Sequence, residues 1–441
     1  MAPDPTADAS PSATGRPQEE VTPAPTPPRA SPPATPRASA GWPRAAAWYL
    51  AIGLGLWVVQ ALAIRYWGIK ANSGAQVPFP GREWLGGLFH WDGGWYAGIA
   101  GDGYAFRPGT QANVAFFPAF PLAMRAVAVV VRNEVVAGIV VSALSGLGAT
   151  VALWTWMGRM GLDDRKRQTA LLVLLLYPYG FFLFGVVYSD ALFMLVCLAA
   201  FLLAESRRWW LAGLVAIAAT AGRPTGAAMS VGLLVLALEA GGALAVPEGD
   251  GLLARWRVPA RVQWRELRVW QVGPAVLSLA GLAAYSGYLW NRWGDPFLFV
   301  TVQKWWGQPS GPATLLKEEY FHLLTHTDYS SMLSRPQQGL DLGTRTVQGA
   351  ILVAALVAVP FVGRRFGWGY AAFTLVSVAI PLWGSKDFMG SGRYAMAAFP
   401  VFVLLGEWLS ARVTLARTWL VASALLSAMM MAFYAHGAYL T

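Results

Sequence analysis

Long apolar runs recur from Trp42 to the end of the chain, and they limit the possible fold more than any other feature of the sequence. Hydrophobic residues make up 56% of the 441 residues and charged residues only 13%, about half the charged share of a soluble domain. Several runs approach the length that a helix needs to cross a bilayer, and the alternating pattern of an outer-membrane barrel is absent. The sequence therefore predicts an all-α, polytopic membrane protein.

Eleven of these runs are candidate membrane spans, and a twelfth run is ambiguous. The ambiguous run, 112–131, contains Pro118, Pro121 and Arg125, which suit a re-entrant or interfacial segment better than a lipid-facing span. The eleven candidate spans are 43–65, 134–157, 168–187, 189–204, 209–222, 226–246, 271–291, 346–363, 367–383, 394–410 and 416–437.

Positive charge in the loops predicts the topology. The net charge is +10, and the basic residues gather in short loops between apolar runs, as in the cytoplasmic loops of membrane proteins. All of these loops fall on the cytoplasmic side only if 112–131 does not cross the membrane. We then expect the N-terminus inside, the C-terminus outside, and extracytoplasmic loops at 66–133 and 292–345. The basic loops are 158–168, 205–208, 247–270, 363–367 and 411–417.

The chain divides by composition into two parts. Residues 1–41 are rich in Pro, Ala, Ser and Thr, which predicts a disordered cytoplasmic tail ahead of a transmembrane domain over 42–441. Arg outnumbers Lys, and Ala, Gly and Pro are abundant, which is typical of a GC-rich genome and favours a bacterial plasma membrane. The single cysteine, Cys197, excludes a disulfide within the chain.

The unusual polar residues fall on the predicted extracytoplasmic side. Ionisable groups near a membrane are costly to bury, so several of them on one face indicate a site. Nucleic-acid binding is not expected, because the positive charge is explained by topology. The residues are Asp92, Asp102, Asp190, Arg223, Lys386, Asp387 and Arg393.

The three aspartates of the first two outer segments each have two interpretations. Asp92, in "WDGG", is placed to act as a general base on a hydroxyl or to cap a helix. Asp102 lies between two glycines, a common turn pattern, and is a secondary candidate for binding substrate. Asp190 follows Ser189 ahead of an apolar run, which is also a capping pattern.

The outer-face cations point to an anionic ligand. Arg223 and Arg393 run against the positive-inside trend, so each calls for an anionic partner such as a phosphate. The largest cytoplasmic loop, 247–270, is too small for a nucleotide-binding domain, and the chain has no Walker motif. A lipid-phosphate donor presented at the outer face therefore fits better than a nucleotide donor.

A metal site is not expected. His322 and His326 have helical spacing with Glu318 one turn earlier, but this is a weak metal pattern and suits an interfacial loop helix. We therefore predict no cofactor, with a divalent metal not indicated.

Four motifs carry a resemblance to a known family. Trp91-Asp92, Tyr96, Ile99-Ala100 and Gly103-Tyr104, followed by "FFPAFP" (116–121), resemble the first outer loop of PIG-V, the GPI mannosyltransferase family that adds the second mannose. Similar to its further motifs, in the same order, are "YPYGFFLFGVVYSDALF" (177–193), "GRPTG" (222–226) and "RYAMAAFPVF" (393–402). The resemblance covers most of 85–410.

The resemblance implies a GT-C glycosyltransferase fold with membrane-parallel helices in the first outer loop. It also implies a polyprenyl-phosphate-mannose donor, a glycolipid or glycan acceptor, inversion at the anomeric carbon and an α-mannoside product. By position, Asp92 is the catalytic carboxylate. Arg393, Arg223 and Lys386 are expected at the donor phosphate. The substrate-binding candidates are Trp91, Trp95, Tyr96, Asp102, Tyr104 and Asp190.

Two alternatives stay open. A GT-C enzyme using another lipid-linked sugar, such as arabinose or glucose, fits the same residues because sugar identity depends on pocket geometry. A transporter or lipid flippase is the alternative from a different functional class. It calls for ionisable residues at mid-span on several helices or an inverted repeat, and the sequence has neither feature.

Overall fold

The computed structural model describes residues 41–69, 83–245, 251, 256, 258–259, 261–263, 268–309, 311–327 and 336–440. The predicted tail lies outside this part of the chain apart from residue 41, so its disorder stays a prediction. The described chain is all-α except for one antiparallel pair of two-residue strands, β1 (Leu244–Ala245) and β2 (Arg261–Val262).

The helices follow the apolar runs closely. Short 3-10 turns lie between them at Glu83–Leu88, Asn113–Ala115, Gly180–Leu183, Pro224–Gly226, Val302–Trp306 and Ala395–Ala397. The described α-helices are α1 (Trp42–Trp67), α2 (Asp92–Asp102), α3 (Ala119–Val131), α4 (Glu134–Arg159), α5 (Asp164–Leu175), α6 (Asp190–Glu205), α7 (Trp209–Thr220), α8 (Ala227–Ala240), α9 (Val269–Ser278), α10 (Ala280–Trp293), α11 (Leu298–Thr301), α12 (Pro312–Leu315), α13 (Glu318–His326), α14 (Pro336–Phe366), α15 (Trp368–Gly384), α16 (Ser391–Tyr394), α17 (Phe399–Ser410) and α18 (Val413–His436).

Within the described residues, five helical segments are long and apolar enough to cross a membrane. The other predicted spans contain shorter helices of 12 to 17 residues, namely α5, α6, α7, α8, α15 and α17. The protein is therefore compatible with a polytopic membrane protein, while the count of eleven spans and the GT-C fold stay predictions. The five segments are Trp42–Trp67, Glu134–Arg159, Val269–Trp293, Asp341–Phe366 and Val413–His436.

The run 168–187 is not one continuous helix, contrary to its selection as a span. Helix α5 ends at Leu175, and the chain then turns into the 3-10 segment Gly180–Leu183. Pro178 disfavours helical geometry at Tyr177, which explains the end of the helix. The interrupted backbone leaves carbonyls that need donors, and the Tyr49 hydroxyl supplies one by donating to the Leu183 oxygen at 2.8 Å.

The core forms where the helices pair. Helix α4 packs on α6, α5 on α17, α8 on α15, α7 on α9, and α1 on α18. Large aromatic side chains such as Trp154, Trp156 and Phe201 are fully buried between them. Leu54 on α1 and Leu425 on α18 are 69% and 68% exposed, which suits faces directed at lipid rather than water.

Loops that the sequence places on the cytoplasmic side contact one another in the fold. The Arg159 guanidinium donates to Ser206 Oγ at 2.8 Å, and Arg365 Nε lies 2.8 Å from a carboxylate oxygen of Glu407. Lys166 pairs with the same Glu407 at 3.0 Å. Three of the five basic loops, 158–168, 205–208 and 363–367, therefore lie close together, and the first and third share Glu407 of α17.

The ambiguous run 112–131 forms the short helix α3, which packs against α2. With 13 residues, it is shorter than a full span of roughly 20, but so are the 12-residue helices α5, α7 and α17 of three predicted spans, so the non-spanning placement of 112–131 stays a prediction. Arg125, which is unusual in an apolar run, donates to the carbonyl oxygens of Ala100, Ile99 and Gly101 at 2.6 to 3.2 Å. It therefore satisfies the C-terminal carbonyls of α2 and ties the two helices together.

Candidate functional site

The backbone at Trp91 places Asp92. Trp91 has a φ of 52° and a ψ of −113°, a conformation that costs energy for a bulky residue and that occurs preferentially at functional sites. The Trp91 indole donates to the Ala438 carbonyl at 3.2 Å, which helps to hold this strained geometry. Asp92 then begins α2 one position after the cap residue, and its side chain turns towards Arg393.

The start of α2 lies against the segment that leads into α6. A Cβ on Gly93 would lie 3.1 Å from the Phe89 ring and 3.3 Å from the Val187 carbonyl oxygen, so the close approach favours glycine. The amide of Asp92 donates to the Tyr188 hydroxyl at 3.2 Å. These contacts bring Asp92 next to Asp190, nearly a hundred residues later in the chain.

Asp190 and Arg223 form a buried ion pair. Their side chains approach to 2.6 Å and are only 3% and 8% exposed. Arg223 has an extended backbone because Pro224 follows it, and its Nε donates to Ser189 Oγ at 3.0 Å. Removal of one partner from a pair as buried as this one destabilises the fold strongly, because the other charge stays buried without its partner.

Arg393 completes the charged group from the short helix α16. Its Nη1 lies 3.4 Å from Asp92 Oδ2 and 3.7 Å from Asp190 Oδ2. The guanidinium also lies over the rings of Tyr188 and Tyr394, at 4.7 Å and 4.8 Å from their centroids. Its Nε is buried and has no hydrogen-bond partner among the described residues.

The backbone beside Arg393 is fixed by the neighbouring helices. A Cβ on Gly392 would lie 2.3 Å from the Tyr179 ring, so only glycine fits there without rearrangement. The Gly392 carbonyl accepts from the Tyr177 hydroxyl at 2.9 Å, and its amide donates to Gln348 Oε1 at 3.1 Å. Arg393 is therefore presented by a rigid turn.

A cavity of about 410 Å³ lies above these charges. This volume is within the range of about 300–1,000 Å³ that is common for small-molecule sites. Its polar wall includes Asp92, Tyr96, Ser189, Arg223 and Arg393. Its other walls are largely apolar or aromatic and come from three further parts of the chain: Phe116, Phe299, Val300, Trp306, Ile380 and Pro381.

The charges at the cavity balance. Asp92 and Asp190 supply two negative charges, and Arg223 and Arg393 supply two positive charges. Burial raises the pKa of the Asp92 carboxyl above its ordinary value, and Arg393 opposes that shift. Asp92 is thus a carboxylate of increased basicity, and it faces the cavity. Both properties are typical of a general base.

The predicted site residues separate into four groups. Asp92, Tyr96, Arg223 and Arg393 line the cavity together. Asp190 does not line it but lies beneath the two arginines as their shared counter-ion, so the geometry favours a positioning role over direct substrate contact.

Two predicted aromatic residues lie behind the cavity wall. Trp95 packs against Phe116 and Trp306, with ring centroids 6.1 Å and 5.1 Å away, and it supports these wall residues instead of lining the cavity. Tyr104 donates its hydroxyl proton to the Phe116 carbonyl at 2.8 Å. Both aromatic side chains therefore contribute to the site indirectly.

The remaining three predicted residues do not line the cavity. Trp91 packs on Tyr439, which does line it, so the contribution of Trp91 is indirect. Asp102 is exposed at the far end of α2, ahead of Gly103 with a φ of 85°, as expected for a turn residue. Lys386 pairs with Glu319 at 2.7 Å and does not line the cavity, so nothing in its position favours phosphate binding.

Several cavity residues were not selected from the sequence. Ser189 links Tyr96 and Arg223 through its hydroxyl, at 3.1 Å and 3.0 Å. Trp306 and Gln308 come from the long 292–345 loop, whose sequence has no pattern that reveals this contact. Tyr394 directly follows Arg393, which was selected. This adjacency in the sequence was a signal that could have identified Tyr394 as a cavity residue.

Among the described residues, no group of three or more His, Cys, Asp or Glu side chains could hold a metal ion. His322 and His326 stack on each other with ring centroids 4.0 Å apart, and His326 Nδ1 lies near the His322 carbonyl oxygen. The absence of a metal requirement stays a prediction.

Comparison with protein-family models, with curated proteins and with solved structures gave no match to this chain. The resemblance to PIG-V therefore stays a hypothesis that rests on the quoted motifs.

Proposed function

We propose that the protein is a membrane glycosyltransferase that moves a sugar from a polyprenyl-phosphate donor to an acceptor hydroxyl at the extracytoplasmic face. The observation that carries the proposal is the cavity in which a carboxylate of raised pKa, Asp92, faces two guanidinium groups, Arg223 and Arg393. A base and an anion-binding pair within one enclosed space are the two elements that such a transfer requires.

In the proposed reaction, Asp92 accepts the proton of the acceptor hydroxyl. The acceptor oxygen forms a bond to the anomeric carbon, the bond from that carbon to the phosphate oxygen breaks, and its electron pair leaves with the phosphate. Attack opposite the phosphate inverts the anomeric carbon. Arg393 and Arg223 neutralise the charge that develops on the leaving group, which is worth several kcal/mol for preorganised donors.

The aromatic wall supports a sugar ligand. Phe116 and Trp306 present rings to the cavity, and Trp95 fixes both from behind. Mannose is the proposed sugar because of the resemblance to PIG-V, with a glycolipid or glycan acceptor. Because the acid–base and phosphate chemistry is shared by all polyprenyl-phosphate sugars, a transferase for another sugar is the second candidate.

Radiolabelled polyprenyl-phosphate sugars incubated with membranes containing the protein test the proposal. We expect incorporation of mannose into a glycolipid or glycan, and loss of that incorporation by about 10²–10⁴-fold in Asp92→Asn, as for removal of a general base. Asp102→Asn is the matched control, since it removes an exposed carboxylate from the other end of the same helix. Full transfer by Asp92→Asn would exclude this mechanism, and incorporation of only another sugar would select the second candidate.

A further inference from the structure

The two carboxylates of the charged group are held very differently. Asp190 lies 2.6 Å from Arg223 and is 3% exposed. Asp92 lies 3.4 Å from Arg393 and is 18% exposed. Asp92 is therefore held by its arginine more weakly than Asp190 is, and it is the carboxylate that faces the cavity.

Arg393 has capacity for another acceptor. Its Nε is buried without a hydrogen-bond partner, although the side chain lines the cavity. A guanidinium binds the oxygens of a phosphate through two parallel N–H groups when its fork is free. Nη2 already donates to the Tyr394 hydroxyl at 3.1 Å, so the remaining capacity of the guanidinium lies at Nε and at the long Nη1 contact to Asp92.

The charge balance limits how an anion enters. With all four side chains ionised, the group has no net charge, so an additional anion would leave the site with an excess negative charge. Asp190 has a 2.6 Å contact with Arg223, whereas Asp92 has the longer contact and lines the cavity, so an anion in the cavity acts most directly on Asp92.

We propose that a phosphodiester anion displaces Asp92 from Arg393, and that the displaced carboxylate binds protons more strongly. A fraction of the bound complexes takes up a proton in this exchange, and the ionised fraction accepts the proton of the acceptor hydroxyl. This inference rests on the proposed function, whose donor is a phosphodiester, and it assigns that function an order of events. The donor binds first, and its negative charge converts Asp92 from an ion-paired carboxylate into a stronger base. A stronger base helps proton transfer from the acceptor as long as its pKa stays near the working pH.

The groups around Asp92 allow this exchange. Arg393 and Arg223 favour its ionised form, and Asp190 opposes it. His90, immediately before Trp91, has a pKa lowered to about 4 by burial, so it is neutral in the pH range of interest. Burial raises the pKa of Tyr96 and of Tyr188, so these two neighbours add no charge at neutral pH. Tyr394 and Tyr439 line the same cavity, and Tyr434 packs on Tyr188.

Isothermal titration of the purified full chain in detergent tests the exchange without any transfer reaction. The probe is geranyl methyl phosphate, a phosphodiester whose single charge does not titrate near neutral pH. We expect its affinity for the wild-type protein to rise as the pH falls from about 8 to about 5, with net proton uptake measured in buffers of different ionisation enthalpy.

Asp92→Asn removes the competing carboxylate and leaves an excess positive charge. We expect it to bind the probe about tenfold more tightly than the wild type at neutral pH, with no pH dependence and no proton uptake. Asp102→Asn should match the wild type in all three respects. Asp92→Asn would therefore combine tighter donor binding with loss of transfer, which a merely misfolded variant would not do.

Three outcomes would overturn the exchange: equal or weaker binding by Asp92→Asn, pH dependence that survives in that variant, or binding by the wild type without proton uptake. Dimethyl phosphate, which has no isoprenyl tail, distinguishes the source of the anion. Binding that requires the tail supports a lipid donor. Equal binding of both probes supports the anion exchange but contradicts the lipid donor of the proposed function, so the two ideas fail separately.

Discussion

Two charged clusters of the protein have similar composition but different surroundings. Members of both come from segments that the sequence predicts to be extracytoplasmic, and the turn 384–393, which includes the start of α16, supplies residues to both. The cavity cluster is Asp92, Asp190, Arg223 and Arg393, and the loop cluster is Lys317, Glu319, Arg345, Lys386 and Asp387.

The loop cluster is satisfied within itself and with nearby backbone. Arg345 lies 2.6 Å from Asp387, which is 1% exposed. Lys386 pairs with Glu319, and the Lys317 ammonium donates to the Leu382 and Ser385 carbonyls. These contacts tether the turn 384–393 to the outer loop. In the cavity cluster, by contrast, one side of each arginine borders open space. The comparison teaches that a free neighbouring volume, more than the charge itself, distinguishes a binding residue from a structural one.

The largest expected difference is in transfer activity. Arg393→Gln should lower the transfer rate by about 10²–10³-fold, because it removes a preorganised donor from the leaving phosphate. Lys386→Gln, from the same turn, should leave the rate within about a few-fold of the wild type, because its ion pair is partly exposed and outside the cavity. Initial rates with the radiolabelled donor measure both. Equal losses in the two variants would remove the distinction between the clusters.

Substitutions in the loop cluster should lower the stability of the protein. Asp387→Asn removes the buried carboxylate from Arg345, which keeps its exposed partner Asp341, and the loss of such a charged hydrogen bond costs about 1.5–3 kcal/mol of unfolding free energy. A lower thermal unfolding temperature in detergent would report this loss. Asp341→Asn is the matched control, because Asp341 contacts the same arginine at 2.9 Å but is 53% exposed. If Asp341→Asn destabilises the protein as much as Asp387→Asn, burial is not the deciding factor.

The pH dependence of transfer distinguishes the clusters further. Asp92 must be ionised to accept a proton, and burial raises its pKa, so activity should fall with decreasing pH at a value above the ordinary carboxyl pKa of about 3.9. Because Arg393 lowers the pKa of Asp92, Arg393→Gln should move this acidic limb to higher pH. Lys386→Gln should not move it. Rate–pH profiles measure the position of the acidic limb. An unchanged limb in Arg393→Gln would mean that the group that titrates there is not Asp92.

The smallest effect should come from the Lys386–Glu319 pair. Glu319 is 51% exposed, so Glu319→Gln should change the unfolding free energy by about 0–1 kcal/mol. Thermal unfolding of this variant beside Asp387→Asn measures the contrast. A loss in Glu319→Gln as large as in Asp387→Asn would mean that the whole loop cluster acts as one unit.

Much of the architecture follows from the sequence because apolar runs and loop charge are local signals. Most helices lie on the predicted runs, and the run 112–131 contains the 13-residue helix α3. Whether that run crosses the membrane stays a prediction. The break in 168–187 was missed, since hydropathy alone does not reveal a turn at Tyr177 and Pro178.

The candidate site was only partly predictable. Residue type and predicted side selected Asp92, Arg223 and Arg393, which the fold brings together. The same criteria also selected Lys386, because they cannot reveal that Glu319, in another part of the sequence, is its ion-pair partner. Arg393 and Asp92 are 301 residues apart in sequence, and a single sequence carries no signal of such pairings.

The spacing of the charged partners also bears on biogenesis. Asp190 and Arg223 are separated by one helical hairpin, α6 and α7, so they are able to neutralise each other soon after both have been synthesised. Asp92 obtains its arginine only when α16 emerges, near the end of translation. Until then, its carboxylate has to stay hydrated, because an unpaired charge is costly in a low-dielectric environment. The charged group at the cavity is therefore completed only after α16 has been added to the chain.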